Sequence, residues 1–409
     1  MKKKILFVAM QMSIHTARWI NQISCDEYEI HIFPINSMAL HPSLVDKVIV
    51  HQPFHSFGLR TYLKSFLNYR NTCERYIYHI PVPNCITSYL SMVQKYFGNT
   101  DASVPLLYSA FFLKKLIKKL KPDLIHSLEF QHCSYNVLEA KKHFSDCFPK
   151  WLATNWGSDI YYYKNDKYHL EIIKELLQLV DYYSCECKRD VKLALSLGCK
   201  AKIQPVIPNT GGFNLQEVNM IRNITQTSRR KIILIKGYQH FAGRALTALN
   251  AIEANVDLLD GYKIIVYSAT PDVLERINYL KQIYQLNIES LGYVEHDLML
   301  RYFGKARIYL GISISDAIST SLLEAMAMGA FPIQTNTSCC DEWIKDGETG
   351  YSVSFNNLSE IISALKNALT NDALVDAASI ENWKTVQERL DGDKMCIKVS
   401  EFYRNIFET

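Results

Sequence analysis

Two carboxylates, Asp316 and Glu324, bracket a run of small, hydroxyl-bearing and apolar residues, Ala317-Ile318-Ser319-Thr320-Ser321-Leu322-Leu323, so that seven residues separate them. The apolar stretch 307–312 before them reads as a buried strand, and Gly329 ends the helix on which Glu324 lies. A strand, a loop and a helix start in that order aim bare backbone N–H groups and two acceptors at one point beyond the strand's carboxyl end. That suits an anionic, hydroxyl-rich ligand such as a nucleotide sugar. Ser321-Leu-Leu-Glu324 also fits a capping box, with Ser321 as cap and Glu324 returning to the Ser321 N–H, and Asp316 also suits an ordinary turn. The loop by itself leaves both readings open.

The elements that would position this loop follow from size and composition. At 409 residues the chain exceeds one ordinary core, which predicts two domains. Hydrophobic residues make up 48% and charged ones 21%, as in an ordinary globular protein, and a net charge of +4 does not mark a dedicated nucleic-acid binder. The first residues run from three lysines straight into a strand-like stretch, unlike a signal peptide, and no apolar run approaches the ~20 residues that span a bilayer. A cytoplasmic protein is expected, with contact at the inner face of the cytoplasmic membrane left open. Eleven cysteines then read as free thiols, and Cys185-Glu-Cys187 and Cys339-Cys340 lack the gaps of zinc knuckles, so no metal site is expected.

Strand and helix signals alternate along both halves. Strands are expected at 5–10, 28–34, 47–51, 122–126, 151–155, 180–187 and 202–207, with helices at 16–24 and 106–121. Asn209-Thr-Gly-Gly212 and the polar stretch 214–230 read as a linker. The alternation restarts with strands 231–235, 263–267, 288–291, 307–312, 331–335 and 351–354, and helices at 244–254, 272–284, 297–303 and 358–369. The prediction is two doubly wound α/β units in tandem. Residues 54–100, rich in Tyr, Phe, Arg and His, break the pattern; they read as an irregular packed excursion or as a surface facing an acceptor or a membrane. The stretch 113–121 puts apolar residues at 113, 116, 117 and 120 with lysines opposite, either a solvated outer face or a dock on anionic lipid.

In this order the motifs resemble the GT-B fold retaining glycosyltransferases of family 4, the group 1 glycosyl transferases. Asp316 and Glu324 match that family's Glu-x7-Glu with Asp in the first place; Leu323-Glu-Ala-Met-Ala-Met-Gly329, followed by Pro332, matches its donor helix. Asp346-Gly-Glu-Thr-Gly350, Lys121-Pro-Asp-Leu-Ile-His126 and Ile207-Pro-Asn209 resemble recurrent family segments, and Ile14-His-Thr-Ala-Arg-Trp19 and Trp156-Gly-Ser-Asp159 resemble one subgroup. The resemblance implies two Rossmann-like doubly wound parallel-sheet domains facing a central cleft. The first, 1–208, would bind the acceptor; the second, 209–390, the nucleotide sugar; and a helix at about 391–409 would pack back on the first.

It also implies roles. Glu324 would accept from ribose hydroxyls, a carboxylate's task because both partners are donors, and Asp316 from hydroxyls of the donor sugar. The donor set is Lys236, Gly237, Arg244, Tyr293, Ser315, Asp316, Ala317, Ile318, Ser319, Thr320, Ser321 and Glu324. The family's Arg and Lys after the first strand of the second domain are not conserved in spacing here; Arg244 is the first choice for the diphosphate contact and Lys236 the second. A cation opening a helix opposes the dipole, so an anion between them would rationalise Arg244. Two cations would stabilise the leaving nucleoside diphosphate without metal or cofactor, the nucleotide sugar being a substrate, UDP-linked in preference to GDP-linked. On the acceptor side stand His15, Thr16, Arg18, Glu129, Trp156 and Asp159, with His15 placed to bind the acceptor or relay its proton and His126 read as core. Asp316, Glu324, Arg244 and His15 form the expected catalytic set.

The expected activity is transfer from a nucleoside diphosphate sugar to a saccharide or lipid-linked saccharide, with bacterial surface polysaccharide synthesis as the setting by family habit. Two alternatives remain: a GT-B sugar-nucleotide 2-epimerase, and a non-catalytic partner subunit of a transferase. Neither half offers G-x-G-x-x-G after its first strand, which argues against a nicotinamide dehydrogenase.

Overall fold

The computed structural model describes the chain except residues 1, 36–38, 53–75, 79–104, 146, 223–224, 293 and 409, and gives the backbone alone at 52, 76–78 and 105–108. The chain divides into two compact units, Met1–Gly211 with Cys396–Thr409, and Gly212–Met395. The polar stretch 214–230 is therefore not a linker. Asn214 caps the helix Leu215–Ile221 by accepting from the N–H groups of Gln216 and Glu217, and Arg230 is buried, donating to the carbonyls of Met328 and Ala306.

In the first unit eight parallel strands, β1 (Lys3–Ala9), β2 (Tyr28–Pro34), β3 (Ile49–Gln52), β4 (Tyr76–Tyr78), β5 (Leu124–Leu128), β6 (Lys150–Thr154), β7 (Tyr182–Ser184) and β8 (Lys202–Ile203), form a sheet in the order β4-β3-β2-β1-β5-β6-β7-β8. In the second unit β9 (Ile232–Lys236), β10 (Lys263–Tyr267), β11 (Ile288–Leu291), β12 (Ala306–Gly311), β13 (Phe331–Thr335) and β14 (Tyr351–Val353) pair in parallel in the order β11-β10-β9-β12-β13-β14. The central strands are buried along almost their whole length because helices cover both faces of each sheet, which explains apolar runs without alternation. Apart from β4, the excursion 54–100 lies outside the described residues. Every cysteine among the described residues is a free thiol, and no described helix is long and apolar enough to cross a membrane.

Each sheet reverses its winding beside its first strand. β1 lies between β2 and β5, and β9 between β10 and β12, so the helices that follow these strands leave toward opposite faces. A crevice opens at the carboxyl ends of such a pair, the usual ligand position in open parallel sheets. The first crevice falls beside the loops after Ala9 and Leu128, the second beside the loops after Lys236 and Gly311.

The last helix, Gly392–Phe407, contributes its later turns to the first unit and is joined there by a buried polar chain. Trp19 Nε1 donates to the Tyr403 hydroxyl at 2.8 Å; His126 Nδ1 lies 2.7 Å from that hydroxyl and Nε2 lies 2.7 Å from Thr154 Oγ1, which contacts Ser184 Oγ. Indole can only donate, so Tyr403 accepts from Trp19; with the phenol's own proton on His126 Nδ1, the imidazole is the Nε2–H tautomer and donates to Thr154. His126 is thus core, as strand alternation predicts. Burial depresses its pKa from 6.5 to about 3. The sign follows: below pH 6.5 the unfolded chain takes up a proton that the folded chain refuses, so stability falls as pH drops from 6.5 toward 3, by up to about 1.4 kcal/mol per pH unit. The melting temperature is expected to fall between pH 7 and pH 5 more steeply in the wild type than in His126→Asn; equal slopes would show that His126 does not carry this dependence.

Candidate functional site

The second crevice is built by two loops held to each other through their backbones. Arg244 N–H donates to the Ile312 carbonyl at 2.9 Å and Ile314 N–H to the Ala242 carbonyl at 2.7 Å, a short antiparallel contact around Gly243 and Ser313. From behind, Ser313 N–H donates to Thr335 Oγ1 at 3.0 Å, and the Thr337 hydroxyl to the Ser313 carbonyl at 2.6 Å, tying the loop to the end of β13. Gly237 is needed where β9 ends. Its N–H donates to the Tyr267 carbonyl at 2.8 Å, and a Cβ there would meet that carbonyl at 2.7 Å and Ala269 Cα at 2.8 Å, both backbone atoms.

These loops bring together Lys236, Asp316 and Glu324. Lys236 is half-buried with its ammonium 5.0 Å from the centre of the Tyr238 ring. Burial works against its charge, but Asp316, the Tyr309 and Tyr238 phenols and Glu324 outweigh it and hold the Lys236 pKa above its ordinary value. Asp316 is half-buried, and its Oδ1 accepts from the Ala317 N–H at 2.9 Å. Glu324 is buried at 6% exposure, and its Oε1 accepts from His296 Nε2 at 2.9 Å. Lys236 is therefore a cation whose charge both carboxylates favour. Arg244, the first choice from sequence, is half-buried and directs Nη1 at the carbonyls of His240 and Gly243, both at 2.7 Å, bracing its own loop.

The helix Thr320–Met328 begins two residues earlier than a Ser321 cap requires. Ser319 is the N-cap, without a side-chain cap bond, and the Ser321 hydroxyl accepts from the Tyr267 hydroxyl at 2.8 Å. The capping box is thereby overturned: Glu324 turns to His296 and leaves the helix start, because tertiary donors compete successfully for both side chains. The N–H groups of Thr320 and Ser321, in the first turn, have no acceptor within the helix. Ser315, Ala317, Ile318 and Ser319 are buried, so the loop presents backbone more than side chain. At the other end Gly329 adopts φ 78° as the helix's C-cap. The Asp346–Gly350 turn is structural: Asp346 Oδ1 accepts from the Ser352 N–H at 2.9 Å, and a Cβ on Gly350 would meet Pro332. Tyr293 lies outside the described residues.

At the first crevice, His15 sits in the first turn of the helix Ile14–Asn21, capped by Ser13, with its ring 5.7 Å from that of Trp156. Thr16 is fully buried and Arg18 half-buried beside Gly211. Glu129 has φ 83°, unusual for a residue with a side chain, and its carboxylate accepts from the N–H groups of Gln131, His132 and Cys133. That carboxylate does for the turn Phe130–Ser134 what a bound anion would do, so its contacts in this structure are to its own turn. Asp159 accepts from the Trp156 and Phe130 N–H groups and is 3% exposed. Burial first, then the charges of Glu129 and Asp190, push its carboxyl well above the usual range against the pull of the Trp156 N–H. It too holds loops in place. His15 and Trp156 are the members of this set whose rings are left half-exposed at the crevice.

Sequence reasoning missed His296 and Tyr267, the partners of Glu324 and Ser321. His296 stands 28 residues before Glu324 and opens the helix His296–Lys305; no spacing along the chain joins the two.

The family described as glycosyl transferases group 1 matches residues 244–384, and the family described as glycosyl transferase 4-like matches residues 92–185. A search of curated protein sequences finds no significant match. Among solved structures, sucrose-phosphate synthase from Thermosynechococcus elongatus superposes with a TM-score of 0.68 at 16% identity over 100% of both chains. A TarM variant from S. aureus, in complex with Fondaparinux, alpha-GlcNAc-glycerol and UDP, gives 0.66 at 11% over 100% of both chains. Anabaena HepE in complex with UDP-glucose gives 0.61 at 10%, covering 98% of this chain and 99% of that one. At such identities these neighbours establish the fold. Together with the family match over the unit that carries Asp316 and Glu324, they show that the chain belongs to the group 1 glycosyl transferases and has the GT-B fold.

Proposed function

We propose that the protein transfers a sugar from a nucleoside diphosphate sugar to a hydroxyl of a saccharide or lipid-linked saccharide, with retention at the anomeric carbon and without a divalent metal. The observation that carries this reading is that one ammonium, Lys236, at the end of β9, has its charge favoured by two carboxylates, Asp316 in the loop after β12 and Glu324 on the helix Thr320–Met328, at the second crevice. Backbone N–H groups of Thr320 and Ser321 receive a pyrophosphate oxygen, helped by the helix dipole. Glu324 accepts from the ribose hydroxyls and Asp316 from those of the sugar. Two of the structural neighbours were solved with UDP or UDP-glucose, which supports a uridine nucleotide ahead of a guanosine one. The first unit takes the acceptor, with the His15 and Trp156 rings as its contact.

In the step itself the bond from the anomeric carbon to the β-phosphate oxygen breaks and its electron pair stays on the phosphate. The acceptor oxygen bonds to the same face of that carbon, and its proton passes to the departing phosphate oxygen. Lys236 stabilises the charge gathering on the nucleoside diphosphate, the work a metal would otherwise do. A bacterial surface polysaccharide is the acceptor pathway we favour. The exposed Lys115, Lys118 and Lys119, with Phe111 at 51% exposure on the helix Pro105–Leu120, form a face suited to anionic lipid.

Incubated with UDP- and GDP-sugars and saccharide acceptors, the protein is expected to release nucleoside diphosphate. Lys236→Met should lower kcat by about 100-fold or more, and Glu324→Gln should raise the donor KM roughly 10- to 100-fold. Isomerisation of the sugar without nucleotide release would overturn the reading. EDTA is expected to leave the rate unchanged; loss on chelation restored by Mg2+ would contradict metal independence. Vesicles containing phosphatidylglycerol should retain the protein and release it when Lys115, Lys118 and Lys119 become Glu, whereas a parent protein that ignores such vesicles ends the membrane proposal.

A further inference from the structure

Glu324 occupies an unusual position for a ligand-binding carboxylate. Its side chain is 8% exposed, it contributes to the field that favours the Lys236 charge, and it is held by an imidazole, His296, whose own side chain is 46% exposed. A carboxylate only accepts, so His296 Nε2 carries a proton and donates it at 2.9 Å to Oε1. Among the described residues this is the hydrogen bond the Glu324 carboxylate makes, and it leaves Oε2 and one lone pair of Oε1 for a ligand. The donor comes from the first residue of His296–Lys305, a helix packed against Thr320–Met328, so its position is set by the fold and not by a loop. Ser321, on the same helical face one turn before Glu324, is likewise fixed from outside by the Tyr267 hydroxyl.

We infer that His296 is a positioning residue that fixes the Glu324 carboxylate for a pair of vicinal hydroxyls, and so sets the preference of the site for a ribonucleotide. The inference rests on the reading that Glu324 receives the ribose of the donor. Two adjacent hydroxyls need two acceptor directions at a fixed angle. A carboxylate free to rotate about its last torsion offers them only part of the time. With the imidazole in place one oxygen is held and the plane of the group is set. Without it, the Glu324 carboxylate is left to rotate, and the ribose must itself fix the group's orientation on binding.

The test measures discrimination, which a merely structural role would not move. Binding of UDP or GDP, whichever the wild-type protein takes, is compared with binding of its dideoxyribose counterpart. The wild type is expected to prefer the ribonucleotide by about tenfold or more. His296→Ala should lose most of that preference while binding the dideoxy compound as the wild type does and keeping its kcat at saturating donor. His296→Gln, which carries a donor of similar reach, should recover part of it. His296→Phe, which fills the ring volume without a donor, should behave as the alanine variant does and takes its place if that variant melts early. Glu324→Gln separates the two levels of the argument. If it loses the preference while His296→Ala and His296→Phe keep it, the inference is wrong and the ribose reading stands. If it keeps the preference, or the wild type has none or binds neither nucleotide, the ribose reading falls and the inference with it.

Discussion

Two backbone hydrogen bonds, Arg244 N–H to Ile312 and Ile314 N–H to Ala242, carry the organisation of the second unit's functional end. Parallel strands deliver their loops to one edge of a sheet, but they do not say how closely those loops approach. Here the loop after β9 and the loop after β12 are locked at hydrogen-bonding distance, across the line where the sheet changes winding. Side chains that would otherwise lie on separate loops become neighbours. Lys236 and the two carboxylates come within electrostatic reach because both backbones are fixed; Gly237 lets the loop pass close to the end of β10, and Gly243 lets it fold back against Tyr238, neither leaving room for a side chain. The arrangement needs no mobile element to assemble it, which is how a site gains rigidity without spending ligand-binding energy on it.

The same economy governs the first unit, with the opposite outcome for its carboxylates. Glu129 and Asp159 have the burial and charge that attract attention in a search for catalytic groups. Yet each is saturated by backbone N–H groups, three on Glu129, and on Asp159 those of Trp156 and Phe130. A buried carboxyl group is tolerable when backbone N–H groups meet its oxygens, and the turns so stabilised then hold Trp156 and His15 at the strand ends. Internal carboxylates thus shape this crevice, and aromatic rings furnish its open surface.

What the sequence revealed and what it concealed divide along a physical line. Uninterrupted apolar runs specified both parallel sheets, since strands covered on both faces have no polar side to alternate with. Gly329 marked a helix end because a left-handed residue is required there. The stretch Ser319-Thr-Ser321 gave the helix start only to within two residues: all three side chains can cap, and the choice was made by Tyr267, 54 residues away, taking Ser321 for itself. His296 was invisible for the same reason. The polar stretch 214–230 looked like a linker because its contribution to packing comes largely from polar groups, the Asn214 cap, the Thr227 hydroxyl and the Arg222 and Arg230 guanidiniums, which hydrophobicity does not register. The strained backbone at Glu129 has no sequence signature, since the conformation is imposed by the turn its own carboxylate holds. Local pattern fixes elements; partners distant along the chain fix where each polar side chain points.

The polar chain from Trp19 through Tyr403 to His126 has a consequence for how the molecule is made. Tyr403 completes hydrogen bonds for residues of β5 and the first helix, so the first unit is satisfied only by a helix encoded after the whole of the second. During synthesis the amino-terminal sheet emerges, is followed by nearly two hundred residues of another unit, and all that while an indole N–H and an imidazole lack the partner and the covering rings that the last helix brings. The order of translation and the order of structural completion are therefore different. The unit begun first is the one finished last, and the second unit can close its core while the first still waits for its final turns.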